Sequence, residues 1–155
     1  MSGFSLIELL TTLCVLSLSC AVGIQSYAEY HQQQRHKLAA QQVYSTILAT
    51  SNLAYAKHRS LWLHIQSATD TQHTLLISAS NSPLPALTQI TLEDVTLTAT
   101  DASIRFDGAK GIAMGNGSIV IGGSSDSQLK VIYHQISGRI RICSTGSESL
   151  GYAAC

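Results

Sequence analysis

From Phe4 to Ile24 the chain reads FSLIELLTTLCVLSLSCAVGI, apolar on every side apart from scattered hydroxyls and a single charge, Glu8. The run is long enough to cross a bilayer core, which takes about 20 residues. It predicts a membrane-inserted helix. A cleaved secretory signal would begin with basic residues and carry a shorter apolar core, neither of which is seen. The pattern also continues past the apolar boundary. QSYAEYHQQQRHKLAAQQVYSTILATSNLAYAKHRS holds no proline and no turn cluster. Its residues Ala40, Val43, Tyr44, Ile47, Leu48, Ala54 and Tyr55 recur at three and four, the spacing of one helix face. Residues 4 to about 58 therefore read as one helix, on the order of 80 Å at 1.5 Å per residue. Residues 4–24 are its membrane half and 25–59 an amphipathic continuation. Gly23 is a helix-weakening residue near the end of the apolar run.

Beyond residue 59 the period shortens. LWLHI, TLLISA, VTLTA, SIRF and GSIVIG are apolar runs broken by turn residues, which predicts strands. Asn81 to Pro85 and Gly122 to Ser127 read as loops. Residues 60–155 are thus a β-rich head, and the fold class is α+β, a long helix packed on an antiparallel sheet or sandwich. The last two predicted strands, LKVIYHQI and RIRIC, are separated by Ser137 and Gly138. If those two form the loop, the glycine supplies the positive φ of a tight hairpin.

In that register Val131, Tyr133, Ile140 and Ile142 share one face, while His134, Arg139 and Arg141 share the other with Ile132 and Ile136. The two arginines point the same way, with Cα atoms about 6.6 Å apart. Lys130 is a third cation on that face. Two readings stay open from the residues alone. The guanidinium groups take phosphate oxygens, or they belong to a solvated strand face, covering isoleucines or pairing with an acid such as Asp126. A register slip of one residue would turn both arginines over.

Charge matters here because there is so little of it. Nine basic and nine acidic residues cancel, so net charge cannot steer a polyanion and any anion binding must come from a local patch. An apolar content of 45% with 12% charged residues excludes a disordered chain. Cys14 and Cys20 lie six apart in the apolar run, on different helix faces, as small apolar residues. Cys143 and Cys155 either close a short loop as a disulfide in an oxidising compartment, stabilising by roughly 3 kcal/mol, or stand as free thiols in a reducing one. No metal site is expected, since His31 and His36 are five apart and the other histidines are scattered. Nothing indicates an enzyme or a cofactor. No nucleophile motif accompanies the Ser, His and Asp residues, and Gly115-Asn116-Gly117 opens a strand rather than a helix.

Glu8 costs about 2.5 to 3.5 kcal/mol in an apolar run and needs a partner, unless it reaches the headgroups at the membrane edge. The string Gly3, Phe4, Ser5, Leu6, Ile7, Glu8, Leu9, Leu10 resembles the processing site of type IV prepilins and type II secretion pseudopilins. The resemblance implies that Met1 to Gly3 is a leader removed by a prepilin peptidase, which cuts between Gly3 and Phe4 and methylates the new amine. The Glu8 carboxylate would then meet the Phe4 amine of a neighbouring subunit in a filament. The leader Met1-Ser2-Gly3 lacks the family's usual basic residues.

In the head, IRFDGAKG, GSIVIG, ISGRIRIC and GYAAC are similar in order and spacing to the FimT and GspH group of minor pilins and pseudopilins. Gly138-Arg139-x-Arg141 followed by Cys143 matches the FimT pattern, linked to DNA capture in natural transformation. The resemblance implies a type IV pilin-like fold, DNA contacts by Arg139 and Arg141 with Gly138 and Lys130, and a Cys143–Cys155 bond. It also implies an inner-membrane precursor with its head in the periplasm, and an extracellular pilus of several pilins after assembly. A structural minor pilin that never touches DNA, and a GspH-like type II secretion pseudopilin, are the alternatives.

Overall fold

The computed structural model describes residues 5–122, 128–145 and 150–155, with the backbone alone for residues 21–26. The predicted leader, the Gly3/Phe4 processing position and the Gly122–Ser127 loop beyond Gly122 lie outside the described residues, as does Asp126. The chain divides into two compact units, one up to Gln34 and one from Arg35 to Cys155.

Helix α1 runs from Leu6 to Ala56, close to the span that the sequence predicts. The chain has no proline before Pro83, so no backbone donor is missing along it. In the first unit Leu6, Ile7, Leu9, Leu10, Leu13, Val15, Leu16 and Leu18 are all more than half exposed. The hydroxyls among them turn inward. Thr11 donates to Glu8 O, Thr12 to Leu9 O, Ser17 to Cys14 O and Ser19 to Val15 O, at 2.8–3.0 Å. Each of these four hydroxyls thereby satisfies itself on the helix backbone, which leaves Glu8 as the charge on an otherwise apolar surface from Leu6 to Cys20. Cys14 and Cys20 are free thiols. Among the described residues no helix is long and apolar enough to cross a membrane.

In the second unit α1 buries a stripe of Ala39, Ala40, Val43, Ile47 and Ala54, with His36, Thr46 and Thr50. The predicted face was drawn too wide at two positions. Leu48 and Tyr55 are 40% and 57% exposed, because the stripe steps 40, 43, 47, 50, 54 and leaves both on its flank. The helix ends in a Schellman motif. His58 takes the left-handed conformation (φ 48°), its N–H donates to Tyr55 O (3.1 Å), and the Arg59 N–H reaches back to Ala54 O (3.1 Å).

Among the described residues eight strands form two antiparallel sheets. The first has β1 (Leu61–Ser67), β2 (His73–Ser78), β3 (Ala86–Leu92) and β5 (Ser103–Phe106), in the order β3-β2-β1-β5. The second has β4 (Leu97–Ala99), β6 (Gly117–Ile121), β7 (Leu129–Tyr133) and β8 (Ile140–Ser144), in the order β4-β6-β7-β8. Leu61, Leu63, Leu75, Ile77, Ile104 and Phe106 from the first sheet join Ile119, Ile121, Leu129, Val131 and Tyr133 from the second and the α1 stripe in one apolar cluster. The α+β architecture agrees with the sequence. Strand β3 was not predicted, because as a sheet edge it is mostly exposed and carries almost no apolar alternation. Of VTLTA only Leu97–Ala99 pairs as a strand.

Candidate nucleic-acid interface

Sheet position decides where the arginines go. On β7 and β8, Val131 pairs with Ile142 and Tyr133 with Ile140, all of them facing the core, while Ile132 pairs with Arg141 and Lys130 with Cys143 on the outer face. This is the face division that the sequence implies. The turn is different. The pairing ends at Tyr133 and Ile140, so the connection is His134–Arg139 rather than the two residues Ser137 and Gly138. The register moves by two residues, which conserves faces. Gln135 N–H donates to the Asn116 side-chain carbonyl (2.9 Å) and His134 N–H to Arg139 O (3.1 Å), so residues expected to extend β7 are held in the loop instead.

Gly138 is left-handed (φ 61°), and a Cβ there would come within 3.1 Å of Ile112 Cγ2. Both facts call for glycine. It therefore carries Arg139 out of β8 and into the loop, exposed, with its N–H donating to Ser137 Oγ (3.3 Å). Ile136 at the same loop tip is 97% exposed.

Arg141 lies within the strand and is half-buried. Its Nη2 donates to Cys155 O at 3.4 Å, a weak bond at the limit of useful geometry. Lys130 is diagonal to Arg141 across the β7–β8 pair, a spacing of roughly 7–8 Å. Among the described residues neither arginine has a carboxylate partner, and the one ion pair is Arg35–Asp94 at 2.9 Å, far more exposed than buried. The tail is fastened beside this face. Cys143 and Cys155 form a disulfide, Ser144 N–H donates to Ala153 O (2.9 Å), and Cys155 N–H donates to Ser144 O (3.0 Å). Cys143 is 1% exposed beneath it.

Glu8 stands in the first turn of α1, exposed in this single chain. Its predicted partner atom, the Phe4 amine, lies outside the described residues. Among the described residues no cluster of His, Cys, Asp and Glu could hold a metal. Three histidines have structural positions that spacing could not reveal. His36, His64 and His73 are buried. His73 Nε2 accepts the Leu97 N–H (3.1 Å) and its Nδ1 lies in hydrogen-bond contact with Ser67 Oγ (2.9 Å), joining the start of β2 to β4. Tyr133 donates to Asp101 Oδ2 (3.1 Å). Burial first, then that hydrogen bond and the Asp101 charge, push its hydroxyl pKa well above the usual 10.0.

A long N-terminal helix with two antiparallel sheets in the head defines a type IV pilin-like fold. Two crystal structures of the type IV minor pilin FimU from Pseudomonas aeruginosa share it. One superposes with a TM-score of 0.59 over 73% of this chain and 95% of its own, the other with 0.58 over 73% and 90%, both at 16% identity. No protein-family model matches the chain, and no curated protein matches it in sequence.

Proposed function

We propose that the protein is a minor pilin of a type IV pilus, cut between Gly3 and Phe4 by a prepilin peptidase, held in the inner membrane before assembly and packed among other pilins after it. The observation that carries this reading is the stretch Leu6–Cys20 of α1, where eight large apolar side chains are exposed and Thr11, Thr12, Ser17 and Ser19 each donate to backbone. Such a surface has no stable place in water. A lipid core or a bundle of like helices suits it, and Glu8 is then the one charge that a neighbouring Phe4 amine neutralises. The head binds DNA without base specificity through Arg139 and Arg141, with Gly138 setting the loop and Lys130 a flanking cation, for uptake in natural transformation. Contacts of this kind give dissociation constants of ~10⁻⁴ to 10⁻⁶ M and weaken steeply with salt.

Two experiments test the parts. Sheared surface filaments from cells making wild-type or Glu8→Val protein are probed for the chain; equal incorporation of both removes Glu8 from the account. The full chain in neutral detergent is titrated against a mixed-sequence DNA duplex as wild type and as Arg139→Gln plus Arg141→Gln. Equal affinity removes the arginine pair. A structural pilin without DNA contacts is favoured by one observation, the Arg141 bond to Cys155 O, which employs that guanidinium in holding the tail. A type II secretion pseudopilin would be marked by a secretion defect on deletion.

A further inference from the structure

The chain is neutral overall, yet its charges are segregated along the first sheet. Strand β1 runs about 20 Å from Leu61 to Ser67. Beyond its far end lie Asp70, Glu93 and Asp94, brought together as Val95 N–H donates to Thr71 O (3.2 Å). At its near end lie four of the nine Lys and Arg residues of the chain, Lys57, Arg59, Arg105 and Lys110, all exposed. Arg105 lies over the Trp62 ring at 5.3 Å from its centroid and donates to Ser60 Oγ (3.4 Å). Gly108 is packed so closely on Arg59 that a Cβ would fall 2.4 Å from the Arg59 backbone nitrogen, so the turn bearing Lys110 rests on the loop bearing Arg59.

The acid within this turn is Asp107; its carboxylate accepts the Lys110 backbone N–H (3.1 Å) and keeps its charge, so four cations stand against one carboxylate in residues 57–59 and 105–110. A cation just past a helix C-terminus offsets the helix dipole, and Lys57 or Arg59 alone would serve that purpose. Arg105 and Lys110 are left with no such role. The same turn also reaches the arginine loop. Asp107 N–H donates to Ile112 O (2.9 Å), and Ile112 is the residue against which Gly138 is packed.

We propose that Arg59, Arg105 and Lys110 form a second phosphate-binding locus, joined to the Arg139 loop through residues 107–112, over which one DNA duplex lies. This rests on the DNA-binding reading above and extends it from a pair of arginines to a cationic end of the head. Two loci on one rigid support add their phosphate contacts, so a head with few charges acquires a useful affinity.

Trp62, the single tryptophan, is a reporter inside the proposed locus. The full chain in neutral detergent is titrated with a mixed-sequence duplex, following both duplex anisotropy and Trp62 emission. Arg105→Gln plus Lys110→Gln is expected to weaken binding about 3- to 10-fold and to reduce the slope of log K against log salt by about 1 to 2. Arg105→Lys plus Lys110→Arg should bind like wild type, and Arg35→Gln, near the acidic end, should leave affinity unchanged. Trp62 emission should shift on binding, and still shift at higher DNA concentration in Arg139→Gln plus Arg141→Gln. If the Gln pair binds as wild type with its full salt slope while the Arg139/Arg141 variant weakens, the second locus is overturned and the first reading stands. If the charge-conserving pair is as weak as the Gln pair, the loss is not electrostatic and the proposal falls. A wild-type chain that binds no DNA overturns both readings.

Discussion

Two stretches of one helix, Leu6–Cys20 and Arg35–Ala56, share a backbone conformation and differ in what they leave outside. The first exposes leucines, isoleucine and valine and turns its hydroxyls inward. The second exposes Arg35, Gln41 and Gln42 alongside Leu38, Leu48 and Tyr55, and buries a stripe of small or branched residues in the core shared with two sheets. Helix propensity cannot separate them. What separates them is the surroundings each surface is suited to, so truncating an apolar side chain should cost stability in the second stretch and little in the first.

The largest effect is expected from emptying the packed stretch. Ile47 is fully buried, so Ile47→Ala should cost about 2–5 kcal/mol, read as lost stability in denaturant unfolding of the full chain in detergent. Leu13 is 58% exposed, and Leu13→Ala should leave the same transition within about 0.5 kcal/mol. Equal losses would mean that the first stretch packs within the chain after all, and would break the comparison.

A smaller effect tests the head alone. Tyr133 is 2% exposed and its hydroxyl donates to Asp101. A group whose pKa is raised on folding contributes stability that is complete below its unfolded value and is lost as pH rises through the folded one. The head should therefore lose stability as pH rises above about 10. Tyr133→Phe should cost about 1 kcal/mol at neutral pH and flatten that alkaline loss. An unchanged alkaline slope in the variant would assign the loss to other groups.

Much of this was legible in the residue pattern, and the failures have physical causes. The helix could be read because a stretch without proline is first apolar throughout and then apolar at steps of three and four, and strands β1, β2, β5 and β6 because each carries buried apolar side chains. Strand β3 escaped because an edge strand owes its existence to backbone pairing with β2, which leaves little trace in side chains. At the arginines, alternation correctly set the faces of β7 and β8. It could not foresee that Asn116, from a distant loop, would hold Gln135 out of the sheet and move Arg139 from strand to loop. The cations at 57–59, 105 and 110 are far apart in sequence and meet only in the fold, through the pairing of β5 with β1 and the close approach of Gly108 to Arg59.

The smallest effect lies where the packed stretch ends. His58 is a non-glycine residue held at φ 48° as the left-handed cap of α1, a conformation that glycine adopts without strain. Relief of that strain is partly offset by the greater freedom of glycine in the unfolded chain and by loss of the Tyr55–His58 ring contact at 6.0 Å. His58→Gly should thus stabilise the head by only a few tenths of a kcal/mol. The sharper use of this variant is in combination. His58 and Ile47 are about 16 Å apart along the helix and share no partner, so His58→Gly with Ile47→Ala should give the sum of the single effects within about 0.5 kcal/mol. Additivity in one unfolding transition would show that cap and stripe stabilise the same cooperative unit. Two separate transitions, one moved only by His58→Gly and the other only by Ile47→Ala, would instead separate the helix end from the core it is packed against.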